Sequence, residues 1–123
     1  MKTLDREVCT IIQIMHYCED ISAAIKRFGN SYNALISDDD YKNSVSMCVF
    51  QIGELSVRLS DDFKEKYNGV PWHEIKGMRN VVAHEYEKMK DDVLWKVISE
   101  DIPELCQYCE KILRENNIEE YPV

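Results

Sequence analysis

Apolar residues along the chain recur at steps of three and four, the spacing that gathers side chains on one face of an α-helix. Over about residues 4 to 28, Leu4, Val8, Ile11, Ile12, Met15, Ile21 and Ile25 follow this pattern with charged positions between them. Asp20 and Ser22 allow a break or a fresh cap near the middle, so the stretch reads as one kinked helix or two, ended by Gly29-Asn30. Residues 30 to 40 are turn-like and finish in the acidic run SDDD, whose oxygens suit the positive start of the next helix. That helix fits 40 to 59 through Val45, Val49, Ile52, Leu55 and Leu59. Gly53 interrupts it, either as a tolerated small residue or as the mark of another backbone passing close by.

The segment SDDFKEKY reads as a short capped helix closed by Asn68-Gly69. Pro71 suits the first turn of a helix over about 71 to 85, where its missing N–H costs nothing, with Trp72, Ile75, Met78 and Val82 on its apolar face. The last helical region, about 91 to 116, places Val93, Leu94, Ile98, Ile102, Leu105, Ile112 and Leu113 at core spacing. Pro103 should kink or restart it. Period-two alternation, internal repeats and linkers are all missing. The pattern predicts one all-α domain over residues 1–123, an antiparallel bundle of four to five helices.

Composition narrows the function. With 45% apolar and 31% charged residues, four Gly and three Pro, the 123-residue chain suits a folded, turn-poor helical unit. Its net charge of −8 repels nucleic-acid phosphates and anionic membranes at long range. Any RNA contact must then be a local pocket of basic residues, or two pockets joined by oligomerisation. Five Cys with no secretory segment ahead of them (Met1 leads into KTLDREV) predict free thiols and a cytoplasmic location. No apolar run approaches the roughly 20 residues of a membrane span, so no membrane partner is expected.

The candidate chemistry lies in GMRNVVAHEY, residues 77 to 86. On a regular helix each residue turns by about 100°, so Arg79 and Tyr86 share a face, as do Asn80 and His84, while Arg79 and His84 point about 140° apart. Either the helix ends near Ala83 and His84 swings back, or a second subunit completes the site. A homodimer packed on this helix gathers two Arg and two His into one cleft. Cutting RNA without metal needs a base for the 2′-OH, an acid for the leaving 5′-oxygen and a cation near the phosphorane. Histidine, titrating near neutrality, serves as acid or base, and arginine supplies a permanent fork for phosphate oxygens.

Other candidates have plainer readings. His73 suits an exposed or capping role and His16 a structural one. Cys106 and Cys109 form a single C-x-x-C without the second ligand pair that a zinc site needs, so no metal is expected. Trp72 and Trp95 lie on apolar stripes and suit packing. Glu54, next to Gly53, is within reach of a neighbouring helix but weak as a catalytic acid.

The segment GVPWHEIKGMRNVVAHEY, with QIGEL upstream and VLWKVISEDIPEL downstream, resembles the HEPN proteins of the HepT type, the toxin half of a bacterial toxin–antitoxin pair. Their R-x-x-x-x-H-x-Y motif is matched by Arg79, His84 and Tyr86, and the Asn that usually follows the Arg by Asn80. The resemblance covers about residues 40 to 107 and, more loosely, the whole chain. It implies an all-α homodimer acting as a metal-independent ribonuclease, with Arg79 and His84 catalytic, Asn80 supporting them, and an RNA substrate. It further implies a type VII-like pair, in which a minimal nucleotidyltransferase antitoxin uses ATP to attach AMP to Tyr86 and silence the toxin. The toxin itself needs no cofactor. The alternative, prompted by the acidic field, is a non-catalytic helical dimer that serves as binding partner or modification acceptor for the nucleotidyltransferase.

Overall fold

A computed structural model describes residues 5–85 and 91–119, with the side chains of 5–79 and 91–119. Among these residues it is all-α. The first helix, α1 (Arg6–Phe28), is unbroken, capped by Asp5, whose carboxylate accepts from the Glu7 N–H at 2.8 Å. The break allowed at Asp20 and Ser22 does not occur. Both are exposed, whereas Cys18, Ile21 and Ala24 keep the buried stripe in phase across them. Gly29 ends α1 at φ 125°, a conformation that only glycine adopts cheaply.

The turn expected at 30 to 40 contains a five-residue helix, α2 (Tyr32–Ile36). Ser31 caps it by accepting from the Ala34 N–H at 3.1 Å, and Leu35 is its one buried residue. Asp38 then caps α3 (Asp39–Val57), accepting from the Asp40 and Tyr41 N–H groups at 2.9 and 3.3 Å. The acidic run therefore acts as a cap. Ser60 does the same for α4 (Asp61–Lys66), and α5 (Trp72–Glu85) follows Pro71, whose carbonyl accepts the first helical bond from Ile75.

The final helical run is α6 (Asp91–Lys96), a π-helical turn over Val97–Asp101, and α7 (Ile102–Glu115). Pro103 explains the irregularity. Proline removes an N–H and crowds the preceding turn, and here that turn widens so that the Ile102 N–H bonds to Val97. Val93, expected on the core stripe, is 44% exposed, because Leu94, Val97 and Ile98 carry the buried face instead.

The long helices enclose one core, with α3 packed against both α1 and α5, and α7 against α1. Two ties make α1 and α3 antiparallel. Tyr41, at the start of α3, is fully buried and donates its hydroxyl to the Gly29 carbonyl at 3.0 Å, with its ring stacked on Phe28. At the opposite end, Glu7 of α1 accepts from the Ser60 N–H at 2.7 Å. Trp72 is buried and donates its indole N–H to the Tyr67 carbonyl at 2.6 Å, which fixes the entry of α5. Among the described residues no helix is long and apolar enough to cross a membrane.

Candidate active site

The crossing of α3 and α5 is set by one missing side chain. A Cβ added to Gly53 would lie 2.7 Å from the Cβ of Arg79, 2.9 Å from its N and 3.1 Å from its Cα. Glycine is therefore what lets the α5 backbone lie against α3 at this level, and of the two readings of Gly53 the close approach is the correct one. The residue that α5 brings to the crossing is Arg79 itself.

Glu54, next to Gly53, turns towards the same arginine. Its Oε1 lies 3.2 Å from the Arg79 Nε, with about a third of each side chain exposed. An ion pair this open to water contributes on the order of 0.2–1 kcal/mol, too little to matter greatly for folding. Its effect is directional, because it holds the guanidinium from its Nε flank. Sequence reasoning placed Glu54 within reach of a neighbouring helix but did not identify Arg79 as its partner. The available signal was the dipeptide Gly53-Glu54 itself, a small residue that admits a helix followed by a carboxylate able to meet its charge.

For the other motif residues, α5 supplies a backbone answer. It continues through Glu85, so it does not end near Ala83, and position 84 lies within the helix, about 140° around from Arg79. The helix-end arrangement that would return His84 to Arg79 is not found. The side chains of Asn80 and His84, and the whole of Tyr86, lie outside the described residues.

His73 is exposed at the first turn of α5, as its plain reading required. His16 is half-buried in a different place, an open cleft of about 810 Å³ between α1 and α3. Glu19 and Asp20 share that cleft with Arg58. Two carboxylates beside one guanidinium make it a poor receptacle for phosphate, which leaves the Arg79 crossing as the better cationic site.

The thiols form a separate group where α7 meets α1. Cys106 lies 3.9 Å from the Met15 sulfur, and its hydrogen bond with Cys18 lowers the Cys106 thiol while raising that of Cys18, which burial raises further. Burial also pushes Cys109 up. All five cysteines are free.

Fold and site together define an all-α protein in which a glycine-mediated helix crossing presents an arginine at the head of an Arg-to-His helical segment. Comparison with known proteins gives that class a family. The profile described as "Ribonuclease HepT-like" matches residues 14–112, from the middle of α1 to the last turns of α7, and the chain belongs to this family of HepT-like ribonucleases. A Thermococcus cleftensis protein named "Probable ribonuclease HepT" is 33% identical over 101 residues, covering 78% of this chain and 92% of that relative. A Caldanaerobacter subterraneus protein, provisionally named an RNase, is 33% identical over 82% of this chain and 88% of its own length. A Methanocaldococcus jannaschii protein with the same provisional name is 36% identical over 60% of this chain and 68% of its own length. No solved structure matches the chain.

Proposed function

We propose that this HepT-like ribonuclease is a toxin that cuts RNA without a metal ion, as a homodimer in the cytoplasm whose cleft combines Arg79 and His84 from both copies. The observation that carries the reading is the α3–α5 crossing, where Gly53 and Glu54 hold Arg79 at a defined place on a helix that continues through position 84. Residues five apart on one helix do not face a common substrate atom, so an active site that uses both draws on a second copy. Support for where that copy docks comes from the solvent face of α3. Met47, two turns before Glu54, is 58% exposed, and Val57, one turn after it, is 41% exposed. Gly53, by contrast, is occupied by a contact within the chain and gives no support to a dimer.

In the proposed reaction one His84 takes the 2′-OH proton, the resulting oxygen attacks the adjacent phosphorus, and the other His84, protonated, gives its proton to the departing 5′-oxygen. The products are a 2′,3′-cyclic phosphate and a 5′-hydroxyl. Arg79 neutralises the charge that gathers on the phosphorane oxygens, and Asn80 supports the site by hydrogen bonding. Tyr86 is the proposed acceptor of AMP from a nucleotidyltransferase antitoxin, and the bulky anionic adduct would obstruct the cleft and repel RNA.

The test is cleavage of labelled RNA in excess chelator by the wild type, Arg79→Ala and His84→Ala. General acid–base catalysis is worth roughly 10²–10⁴-fold, and each variant should lose activity on that scale. Wild-type cleavage by His84→Ala, or abolition by chelator alone, would reject the mechanism. Light scattering at micromolar concentration should give a dimer; a monomer that cuts RNA at full rate removes the composite cleft. The acidic field favours the rival reading of a non-catalytic modification acceptor, and RNA left intact by the wild type, with AMP still added to Tyr86 by the antitoxin and ATP, would select it.

A further inference from the structure

We propose that Glu54 is the positioning residue for Arg79, orienting its guanidinium for the phosphate undergoing cleavage; the proposal rests on the reading of Arg79 as catalytic. Two neighbouring residues of α3 restrain one residue of α5 at two levels. Gly53 admits the Arg79 backbone to within 3.1 Å of where a Cβ would stand, and Glu54 then meets the guanidinium at 3.2 Å. The close crossing fixes where the side chain starts, and the carboxylate, as one of the groups Arg79 engages, narrows the directions it takes from there.

Electrostatic stabilisation of a transition state works best when the charge is already aimed before the reaction begins. The contact enters through Nε, at the flank of the guanidinium, while the geometry that suits phosphate is the end-on fork of its two terminal nitrogens. A carboxylate at the flank sets the direction of that fork. It also costs some positive charge, so Glu54 has two opposed effects on a phosphate at Arg79. Orientation acts on the turnover step, whereas repulsion would act mainly on binding.

This opposition makes the proposal testable. Steady-state cleavage of a labelled single-stranded RNA of mixed sequence is to be measured for the full-length wild type, Glu54→Gln, Glu54→Ala and Arg79→Ala, with both Glu54 changes repeated in the Arg79→Ala background. A restraint with the strength of a part-exposed ion pair shifts populations by at most about fivefold, so Glu54→Ala should lower kcat by about two- to fivefold with KM unchanged or lower. Glu54→Gln, which keeps an acceptor at the same reach, should retain much of the rate. Neither change should matter once Arg79 is alanine. As a readout separate from activity, the Arg79 Nε–H resonance should lose its restricted, slowly exchanging character in Glu54→Ala. Arg79→Ala inactive while Glu54→Ala cuts at the wild-type rate overturns positioning alone. Faster cleavage by Glu54→Ala overturns it in favour of a restraining carboxylate. If Arg79→Ala cuts like the wild type, the catalytic reading and the positioning role fall together.

Discussion

Gly53 and Gly77 lie on the two helices that cross at Arg79, and their surroundings differ. A methyl on Gly53 would press on the Arg79 backbone at 2.9 and 3.1 Å, whereas no described atom lies within 4 Å of one on Gly77. Alanine is favoured over glycine within a helix by about 1 kcal/mol, but overpacking a close contact costs about 1–3 kcal/mol, and a backbone cannot rotate aside as a side chain can. Gly53→Ala should therefore be net destabilising, by up to about 2 kcal/mol, and on the proposed role of Arg79 it should also slow cleavage, because the shift falls on that residue. Gly77→Ala should stabilise by up to about 1 kcal/mol. Urea unfolding of the two variants, with the slope of the transition unchanged, gives the comparison. A Gly53→Ala midpoint equal to or above the wild type would mean that the crossing is looser than these distances describe.

At the level of elements, α1 and α3 are fastened by Tyr41, and the bond has a cost when cut. Tyr41→Phe removes the partner of the half-buried Gly29 carbonyl, a loss of about 0.5–1.5 kcal/mol. It should also change the response to alkali. Burial raises Tyr41, and burial with the nearby Asp20 charge pushes the Cys48 thiol up to about 11. For such acids the folded state holds its proton longer than the unfolded one, so their contribution is complete below the unfolded value and disappears as pH rises through the folded value. Stability measured by urea should hold to about pH 9 and fall above it, with a shallower fall above about pH 10 in Tyr41→Phe. A stability flat from pH 8 to 11 would refute this. These elements also show what the sequence made legible. The caps of α3 and α4 and the restart at Pro103 were readable because each is local chemistry, an Asp or Ser oxygen or a missing N–H. The helix α2 was not, since five residues with one buried Leu35 set up no period. The bundle and the Arg-to-His motif were readable, but the meeting of Arg79 with Gly53 and Glu54 was not. Periodicity says which face of a helix is buried and is silent on which helix it meets, or at what height, and the partners here stand 25 and 26 positions apart.

For the molecule as a whole the question is how a chain of charge −8 handles a polyanion. In the proposed dimer, pairing two copies would double the negative charge while bringing two Arg79 residues together, so long-range repulsion and short-range attraction would both grow. Salt separates them. At about 10 mM the screening length is about 30 Å and the whole acidic surface opposes an approaching RNA; at about 0.1 M it is about 10 Å, and only charges near the cleft are felt. Contacts to phosphates have the opposite dependence. Each one made to a single strand contributes about −0.7 to the slope of log affinity against log salt, so two arginines give about −1.4, well short of the slope of a strongly basic binder. The KM for RNA should accordingly fall as salt rises from about 10 mM towards 0.1 M, pass through a minimum, and rise gently beyond it. Arg79→Lys, which keeps the charge but loses the planar fork, should leave the position of that minimum in place while lowering kcat. A KM that climbs steeply and without a minimum from the lowest salt would mean that RNA is held by a broad basic surface rather than by a local pair of arginines, and the composite cleft would then be the wrong account of how this acidic protein captures its substrate.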